Sequence, residues 1–407
     1  SAETDATIVL KRGPMGCIVY DGPIPEDLEG GIVGKGFPIE VYNVLGAGDS
    51  FMSGFLRGWL RGEDHATSAT WANACGAFAV SRLLCSPEIP TWEELNTFLR
   101  DGSPHHALRR DANINHIHWA TTRRRDIPIL MAFAIDHRSQ FTDMADELNV
   151  PHDRISDFKR LAVAAAARIA ESREGIGMLL DEHLGRDALF DAARQSFCWI
   201  GRPVEQPGSR PLQFEGSQDI GSQLLEWPVD HCIKALCFYH PEDDAALKVQ
   251  QQEKLLALYQ AARKVGRELL VEIIAGKHGE LHDDTIARAL EELYALGIKP
   301  DWWKLEPQNS AAAWAKTEAV IKKHDPWCRG IVVLGLDAPI DALQQSFQSC
   351  ADAGLVRGFA VGRTIFAETA RGWLAGDVGD EKAIDEMAQR FDTLCTLWLQ
   401  CRGNTHG

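Results

Sequence analysis

Charged side chains interrupt several of the most apolar runs of this sequence, where an unpaired charge is costly. The run PDWWKLEP at 300–307 places Lys304 between tryptophans and a leucine, and Lys234 and Glu272 interrupt IKALCFYH and ELLVEIIA in the same way. A neutral lysine amine can attack a ketone to form an iminium, which accepts the electrons of a neighbouring C–C bond as that bond breaks. These residue types therefore suit aldol cleavage through a Schiff base on Lys304.

Such an amine must be deprotonated, although the ordinary pKa of lysine is about 10.4. Desolvation and a second cation both lower the pKa of a lysine, and Lys234 is the predicted second cation. Glu272 is the predicted carrier of protons during dehydration and cleavage. The same three residues also suit a structural ion-pair network inside a barrel, and their spacing alone leaves both interpretations open.

The elements that position these residues are short apolar runs that alternate with longer amphipathic segments. The predicted strands after residue 127 are IPILMAFAID, IGMLLDE, SFCWIG, IKALCFYH, ELLVEIIA, DWWKLEP, GIVVLGL and GFAVGRTIF. Eight βα alternations over roughly 270 residues match a (β/α)8 barrel in number and length. The predicted fold class is therefore α/β, with a TIM barrel over 127–407, and a doubly wound open sheet is the alternative.

Further polar residues stand near the ends of these strands, where the active sites of such barrels lie. We expect a group of them to contact substrate hydroxyls or a phosphate: Asp136, His137, Arg138, Asp181 and Glu306. Gly335 and Gly362 would let the backbone approach a phosphate, and Arg363 would pair with it. The histidines have no spacing that forms a ligand set, so no metal is expected.

Residues 127–401 resemble the domain fused to the C-terminus of many bacterial 5-dehydro-2-deoxygluconokinases, which is similar to the class I tagatose-1,6-bisphosphate aldolases. The stretches that carry the resemblance are FAIDHRSQF, LLDEHLG, IKALCFYHPEDD, LLVEI and DWWKLEP. The resemblance implies a Schiff base on Lys304, assisted by Lys234 and Glu272 without a cofactor. It also implies a small phosphorylated keto-sugar acid as substrate. From the fusion partner this would be 2-deoxy-5-keto-D-gluconate 6-phosphate of inositol catabolism, cleaved to dihydroxyacetone phosphate and malonate semialdehyde.

The segment NVLGAGDSFMSGFLRG at 43–58 is a glycine-rich turn that runs into a predicted helix. The N–H groups of such a turn can hold a phosphoryl group, and Asp49 is placed as a base for a substrate hydroxyl. The segment closely resembles the second signature of the ribokinase/PfkB sugar kinases. That resemblance implies an anion hole and nucleotide-side segments at Gly46, Ala47, Gly48, Lys11, Gly13, Gly16 and Asn73, with ATP and Mg²⁺ as the cofactors of a complete kinase.

The predicted domain organisation has three parts. Residues 1–104 are predicted to be the C-terminal part of a ribokinase-like α/β domain, with strands at ATIVLKRG, GCIVYDG and FPIEVYNV. Residues 105–126 are polar and basic without a clear period, which predicts a linker. Since the rest of a kinase would precede residue 1, we expect the chain to be a truncated form of a longer bifunctional protein with absent or weak kinase activity. Leu84, where the kinases tend to have glycine, also predicts weak nucleotide binding.

The bulk composition restricts the classes of partner. A formal net charge of −16 argues against nucleic acids and anionic membranes, and no apolar run approaches the length of a membrane span. Ten scattered cysteines without a CxxC pair predict reduced, buried thiols in a cytoplasmic protein. A homo-oligomer is left open.

The competing functions are a sugar kinase, with the barrel as a non-catalytic domain, and a sugar-phosphate sensor whose lysines only neutralise phosphate.

Overall fold

The computed structural model describes residues 5–83, 86–196, 199–216 and 219–403, and the chain divides into two compact units, 1–124 and 125–407. Leu84, Cys85 and Cys198 lie outside the described residues. The cysteines that the structure describes are all free, and all except Cys401 are buried. None of the described helices combines the length and hydropathy that a membrane crossing requires.

In its described part, the first unit contains a three-stranded antiparallel sheet and the helices that pack with it. The strands are β1 (Ile8–Lys11), β2 (Cys17–Tyr20) and β3 (Ile32–Gly34). The helices are α1 (Ala47–Leu60), α2 (His65–Ser81), α3 (Trp92–Asp101) and α4 (Ala112–Thr121). Cys17 and Val19 of β2 pack against Phe51 and Phe55 of α1, so the sheet supports the helix that begins in the glycine-rich turn.

The strand predicted at FPIEVYNV, residues 37–44, is wrong, because these residues have no strand pairing and β3 instead lies at 32–34. Pro38 has no N–H to donate to a sheet. The N–H groups of Glu40 and Tyr42 donate to the carbonyls of His106 and Val80, which are in loop and helix rather than in a strand. The alternation of apolar residues therefore reflects docking onto neighbouring segments.

The linker predicted at 105–126 is also wrong for most of its length. The Asp111 carboxylate accepts the N–H groups of Asn113 and Ile114, both at 3.0 Å, and so caps the first turn of α4. Ile114 and Ile117 are buried, and Ile114 joins a core cluster with Phe98 of α3. The polar residues between these apolar positions hide the helical period in the sequence, and the first unit extends to residue 124.

The second unit is a closed barrel in which the described strands pair in parallel, in the order β10-β11-β4-β5-β6-β7-β8-β9. The strands are β4 (Leu130–Ala134), β5 (Ile176–Leu179), β6 (Trp199–Pro203), β7 (His231–Cys237), β8 (Leu269–Ile273), β9 (Trp302–Leu305), β10 (Gly330–Leu334) and β11 (Val356–Val361). Each lies within one of the predicted runs or overlaps it, so the predicted (β/α)8 fold is confirmed.

Helices follow the strands and cover the outside of the barrel. They are α5 (Ser139–Glu147), α6 (Asp153–Ala170), α7 (Arg186–Ala193), α8 (Ile220–Leu225), α9 (Ala245–Val265), α10 (Thr285–Ala295), α11 (Ala311–His324), α12 (Ile340–Ser349), α13 (Arg363–Ala375) and α14 (Asp380–Cys401). Their apolar faces pack with the outward side chains of the strands into one large core. This shell fixes the strands, and therefore the direction of every side chain that points into the barrel.

The two-residue period of a strand explains why Lys304 points inward. Trp303 and Leu305 of β9 face the helices and belong to the outer core, whereas Trp302 belongs to a separate interior cluster. Lys304 has the same parity as Trp302 and therefore lies one layer above it inside the barrel. In the same way, Glu272 lies two residues after the interior Leu270 on β8, and Lys234 lies two residues after the interior Cys232 on β7. The three charged residues thus form one interior layer on apolar support.

Candidate active site

A cavity of about 750 Å³ lies at the carboxyl ends of the barrel strands. Its lining includes side chains from the interior layer and from the loops that follow the strands. Most of the predicted substrate-site residues line it: Asp136, His137, Arg138, Lys234, Glu272, Lys304, Glu306, Gly335, Gly362 and Arg363. The structure brings these residues together, and the roles assigned to them stay predictions.

Lys304, Glu272 and Lys234 form a continuous chain of ion pairs in the floor of the cavity. The Lys304 ammonium lies 2.9 Å from Glu272 Oε1, and the Lys234 ammonium lies 3.0 Å from Glu272 Oε2. All three side chains are buried, and β8 pairs with β9 so that Glu272 stands beside Lys304. One carboxylate therefore bridges two lysines, both of which line the cavity.

Lys234 has two further carboxylate partners. Its ammonium lies 2.8 Å from Glu205 Oε1 and 3.2 Å from Asp136 Oδ2. Burial opposes the charge, but the three neighbouring carboxylates outweigh burial and raise the pKa of Lys234 well above its ordinary value. Burial likewise opposes the ionised form of Asp136 and Glu272, and Lys234 with Lys304 outweighs it, so the pKa of each carboxyl is lowered. Lys234 is thus a permanent cation at neutral pH.

Arg138 and Glu205 complete the network on the side of β6. The Arg138 guanidinium lies 3.2 Å from Glu205 Oε1 and 2.5 Å from Glu215 Oε2, and it donates to the Glu205 carbonyl at 2.9 Å. Sequence reasoning missed Glu205, because the predicted third strand ended at residue 201 whereas β6 reaches Pro203. The buried segment continues through Arg202, Pro203 and Val204 to Glu205. The predicted strand SFCWIG gave no indication that the residues after it are buried.

The His137 ring lines the cavity and packs edge-on against Phe366 at a centroid distance of 5.2 Å. Burial, which outweighs the opposing charge of Asp136, lowers the pKa of His137 to about 4. The imidazole is therefore neutral at pH 7, and it can offer one N–H donor and one nitrogen acceptor to a ligand.

Two residues predicted to contact substrate, Asp181 and Glu306, have partners within the protein. Asp181 forms a buried ion pair with Lys159 of α6 and accepts the Leu184 N–H at 2.7 Å, and it does not line the cavity. Its predicted contact with substrate is therefore wrong, because α6 brings a lysine onto it. The same Lys159 ammonium donates to the His137 carbonyl at 2.9 Å. The pair holds the ends of β4 and β5 in place.

Glu306 lines the cavity, yet one of its oxygens is committed to the backbone. Glu306 Oε2 accepts the N–H groups of Ala275 and Gly276 at 2.7 and 2.9 Å. Burial raises the pKa of the Glu306 carboxyl. The residue shapes the loop after β8, and its predicted contact with substrate rests on the other oxygen alone.

Gly335, Gly362 and Arg363 lie together in the loops after β10 and β11. A Cβ on Gly362 would meet the Ala134 carbonyl oxygen at 2.3 Å, so the close approach of β4 requires glycine here. Gly362 immediately precedes α13, and both Gly362 and Arg363 line the cavity, so the helix begins at the cavity. Arg363 is partly exposed and donates to Asp337 at 3.0 Å.

The glycine-rich turn of the first unit has the geometry expected for an anion site. Gly46 has φ +77°, a left-handed conformation that favours glycine, and α1 begins at Ala47. The Lys11 ammonium would be 3.2 Å from a Cβ on Gly48, so it lies against the start of the helix. Asp49 is exposed in the first turn.

The other predicted nucleotide-side residues lie in the interior or turns of this unit. Gly13 and Gly16 are in the turn between β1 and β2, and a Cβ on Gly16 would meet the Gly34 carbonyl oxygen at 2.0 Å. Asn73 is buried in α2 and donates to the Ala69 carbonyl at 2.9 Å and to Cys17 Sγ at 3.3 Å. Asn73 is therefore a packing residue of α2. Both of its amide N–H groups are used within the unit, so neither is free to support the predicted nucleotide contact.

Residues 94–402 match a family described as an uncharacterized protein conserved in bacteria, DUF2090. The chain belongs to the DUF2090 family. Residues 1–92, which precede the DUF2090 region, match the pfkB family of carbohydrate kinases. The family border therefore lies near the start of α3, about thirty residues before the border between the compact units.

Curated relatives of this DUF2090 chain include sugar kinases that align over a short stretch. An ATP-dependent ribose-1-phosphate kinase of Halopiger xanaduensis is 33% identical over 78 residues, which are 19% of this chain and 24% of the relative. A 5-dehydro-2-deoxygluconokinase of Bacillus thuringiensis is 32% identical over 94 residues, and one of Geobacillus thermodenitrificans is 28% identical over 93 residues. Each match covers 23% of this chain and 26% of the relative, so the chain spans about a quarter of the length of these kinases.

Among solved structures, the chain is similar to fructose-bisphosphate aldolase from Plasmodium falciparum, with a TM-score of 0.53 and 13% sequence identity. The similarity covers 71% of this chain and 95% of the aldolase. At this identity the similarity shows the fold alone. The DUF2090 region thus has an aldolase-like TIM barrel fold.

Proposed function

We propose that the barrel is a class I aldolase in which Lys304 forms a Schiff base with a ketone. The observation that carries the proposal is the position of Lys304, buried on the cavity floor with Glu272 at 2.9 Å and Lys234 on the far side of the same carboxylate. A catalytic base and a second cation next to one cavity-facing lysine are what the chemistry needs.

In the proposed reaction, the Lys304 ammonium first transfers a proton to the Glu272 carboxylate, and the free amine attacks the substrate ketone. The carbinolamine then loses water, with the proton supplied by the Glu272 carboxyl, and an iminium remains. The Glu272 carboxylate then takes the proton of the β-hydroxyl, the C–C bond breaks and releases an aldehyde, and the bonding electrons pass into the iminium, which becomes an enamine. Protonation of the enamine and hydrolysis of the new iminium release the ketone product and regenerate the Lys304 amine.

The proposed substrate is a phosphorylated keto-sugar acid, namely 2-deoxy-5-keto-D-gluconate 6-phosphate. Cleavage between C3 and C4 gives dihydroxyacetone phosphate and malonate semialdehyde, as a step of cytoplasmic myo-inositol catabolism. The pfkB match and the relatives named 5-dehydro-2-deoxygluconokinase support this choice, because such a kinase would supply this phosphate ester. A cavity of about 750 Å³ accommodates six carbons and a phosphate.

Borohydride reduction in the presence of dihydroxyacetone phosphate tests the proposal. We expect one stable adduct, which peptide mapping assigns to Lys304, and no adduct in Lys304→Met. Lys316→Met is the matched control, because Lys316 is an exposed lysine of α11. An adduct on another lysine, or no adduct in the unmodified chain, contradicts the proposal. Tight binding of the keto-acid phosphate without turnover would instead support the sensor function.

A second candidate is phosphotransfer to 5-dehydro-2-deoxygluconate, in which Gly46–Gly48 hold a phosphoryl group of Mg²⁺-bound ATP and Asp49 is the base. The Lys11 ammonium beside the start of α1 and the pfkB match over 1–92 favour it. We propose this activity for a complete pfkB domain, of which this chain contributes the glycine-rich turn. The test mixes the chain with a supplied N-terminal kinase half and measures ATP consumption. Consumption that disappears in Asp49→Asn would support this activity, and no consumption by the mixture would contradict it.

A further inference from the structure

Lys277 is a cavity residue that the proposed mechanism does not use. It lies in the loop that follows β8, lines the cavity, and its ammonium stands 4.4 Å from the centroid of the Phe238 ring. The side chain is exposed, and among the described residues no carboxylate is within ion-pair distance of it. Lys277 therefore offers a cation to the cavity without first breaking an ion pair.

The cations of the cavity floor are not available in this way. Lys304, Lys234 and Arg138 are all ion-paired to carboxylates within the network. Those carboxylates are Glu272, Asp136, Glu205 and Glu215, so the three cations face four negative groups. An anionic substrate group would have to displace a buried carboxylate to reach any of these cations, which is unfavourable.

The barrel order places Lys304 between two positions suited to anions. Strand β9, which bears Lys304, lies between β8 and β10. Lys277 follows β8 on one side, whereas Gly335 and the start of α13 follow β10 and β11 on the other. A substrate with an anionic group at each end would therefore present a central carbonyl to Lys304.

The two positions differ in chemistry. The start of α13 offers several N–H groups together with Arg363, a combination that suits the oxygens of a phosphate. Lys277 offers one ammonium, and Phe238, Ile274 and Leu236 form an apolar wall beside it. A carboxylate with a methylene group next to it fits this wall, since the methylene can pack on the apolar side chains.

We propose that Lys277 is a specificity residue that binds the carboxylate of the keto-acid substrate, at the end remote from the phosphate. The inference rests on the proposed aldolase function for its substrate. It assigns to Lys277 the discrimination between keto-sugar phosphates that end in a carboxylate and those that end in a neutral hydroxymethyl group.

Calorimetric binding of two ligands that lack a ketone tests the role of Lys277. The ligands are 6-phosphogluconate, which has a carboxylate at C1, and glucitol 6-phosphate, which has a hydroxymethyl group there. We expect the unmodified chain to bind 6-phosphogluconate roughly tenfold to a hundredfold more tightly, as for a hydrogen bond to a charged group. In Lys277→Met this preference should disappear while binding of glucitol 6-phosphate is unchanged.

Lys254→Met is the matched control, because the Lys254 ammonium lies 5.7 Å from the Phe214 ring and neither residue lines the cavity. Lys277→Arg should retain the preference. The inference is overturned if the unmodified chain binds neither ligand or both equally, if the preference survives in Lys277→Met, or if that variant weakens glucitol 6-phosphate instead, which would assign Lys277 to the phosphate. Since neither ligand can form a Schiff base, failure of the aldolase proposal appears separately as a missing Lys304 adduct.

Discussion

The two lysines of the cavity floor have different surroundings, and the difference decides their roles in the proposed mechanism. Lys234 is surrounded by three carboxylates, which fix it as an ammonium. Among the described ion pairs, Lys304 has one carboxylate partner, Glu272, which also pairs with Lys234. In the proposed mechanism the nucleophile is therefore the lysine with fewer carboxylates around it, and the other lysine binds the far oxygen of the Glu272 carboxylate that they share.

Glu272→Gln tests the bridging carboxylate. We expect kcat for keto-acid phosphate cleavage to fall about 100-fold to 10,000-fold, because the amide cannot carry the protons of dehydration and cleavage. Release of dihydroxyacetone phosphate measures the effect, and Glu253→Gln on the exposed side of α9 is the control. A kcat close to that of the unmodified chain, with an intact fold by circular dichroism, would remove Glu272 from the mechanism.

His137 makes stability depend on pH. Its pKa in the folded chain is about 4, whereas its ordinary value is 6.5. Between these values the unfolded chain binds the proton and the folded chain does not, so the free energy of unfolding falls as the pH drops from about 6.5 towards 4. We expect the free energy of unfolding of His137→Gln to fall by about 2–3 kcal/mol less than that of the unmodified chain over this pH range. Urea unfolding at pH 7.5, 5.5 and 4.5 measures the difference.

His152→Gln provides the comparison for this pH series, since His152 is exposed and pairs with Asp146 at the surface. If His137→Gln and the unmodified chain lose stability equally between pH 6.5 and 4, His137 is not the group responsible.

At the scale of the elements, the barrel strands could be predicted because their apolar runs are separated by amphipathic helices of ordinary length. The inward direction of Lys304 could be expected because a charge is costly against the outer helices, and its parity with the interior Trp302 agrees with this in the structure. Which carboxylate meets which lysine could not be predicted, because strand register and loop paths set those distances. Glu205 and Lys277 come from loops after β6 and β8, and Asp181 was misassigned because Lys159 arrives from a helix.

The Lys159–Asp181 pair ties α6 to the ends of β4 and β5. We expect Lys159→Met to lower the free energy of unfolding by about 3–5 kcal/mol, because it leaves the Asp181 carboxylate buried without its partner. The double variant Lys159→Met with Asp181→Asn should recover part of this loss. Urea unfolding of all three proteins measures it, and a single variant as stable as the unmodified chain would contradict the assignment.

At the scale of the whole molecule, the borders of the matched families and of the compact units do not coincide. Helix α4 and all but the first two residues of α3 lie in the DUF2090 match, yet both helices belong to the first unit. Glu94 of α3 is fully buried and forms an ion pair with Arg82, which follows α2 of the pfkB match. These two helices therefore complete the fold of the pfkB segment rather than that of the barrel.

This difference predicts how the chain can be divided. A fragment of 125–407 should be soluble and should form the Lys304 adduct as the full chain does. A fragment of 94–407 should aggregate, because Leu95, Phe98 and Ile114 lose the α2 residues against which they pack. Soluble yield, size-exclusion chromatography and borohydride trapping compare the two. A well-behaved 94–407 fragment beside an insoluble 125–407 fragment would show that the family border is the structural border.

The Lys234 ammonium forms ion pairs with three carboxylates, and this restricts which substitutions DUF2090 sequences can accept at these positions. A descendant that loses the lysine at position 234 keeps the three mutually repelling carboxylates of Asp136, Glu205 and Glu272 buried in the cavity floor unless one of them is neutralised as well. These positions should consequently mutate as a group. A homologue that retains the acids and Lys234 but replaces Lys304 would have kept the architecture of the pocket after giving up its covalent step.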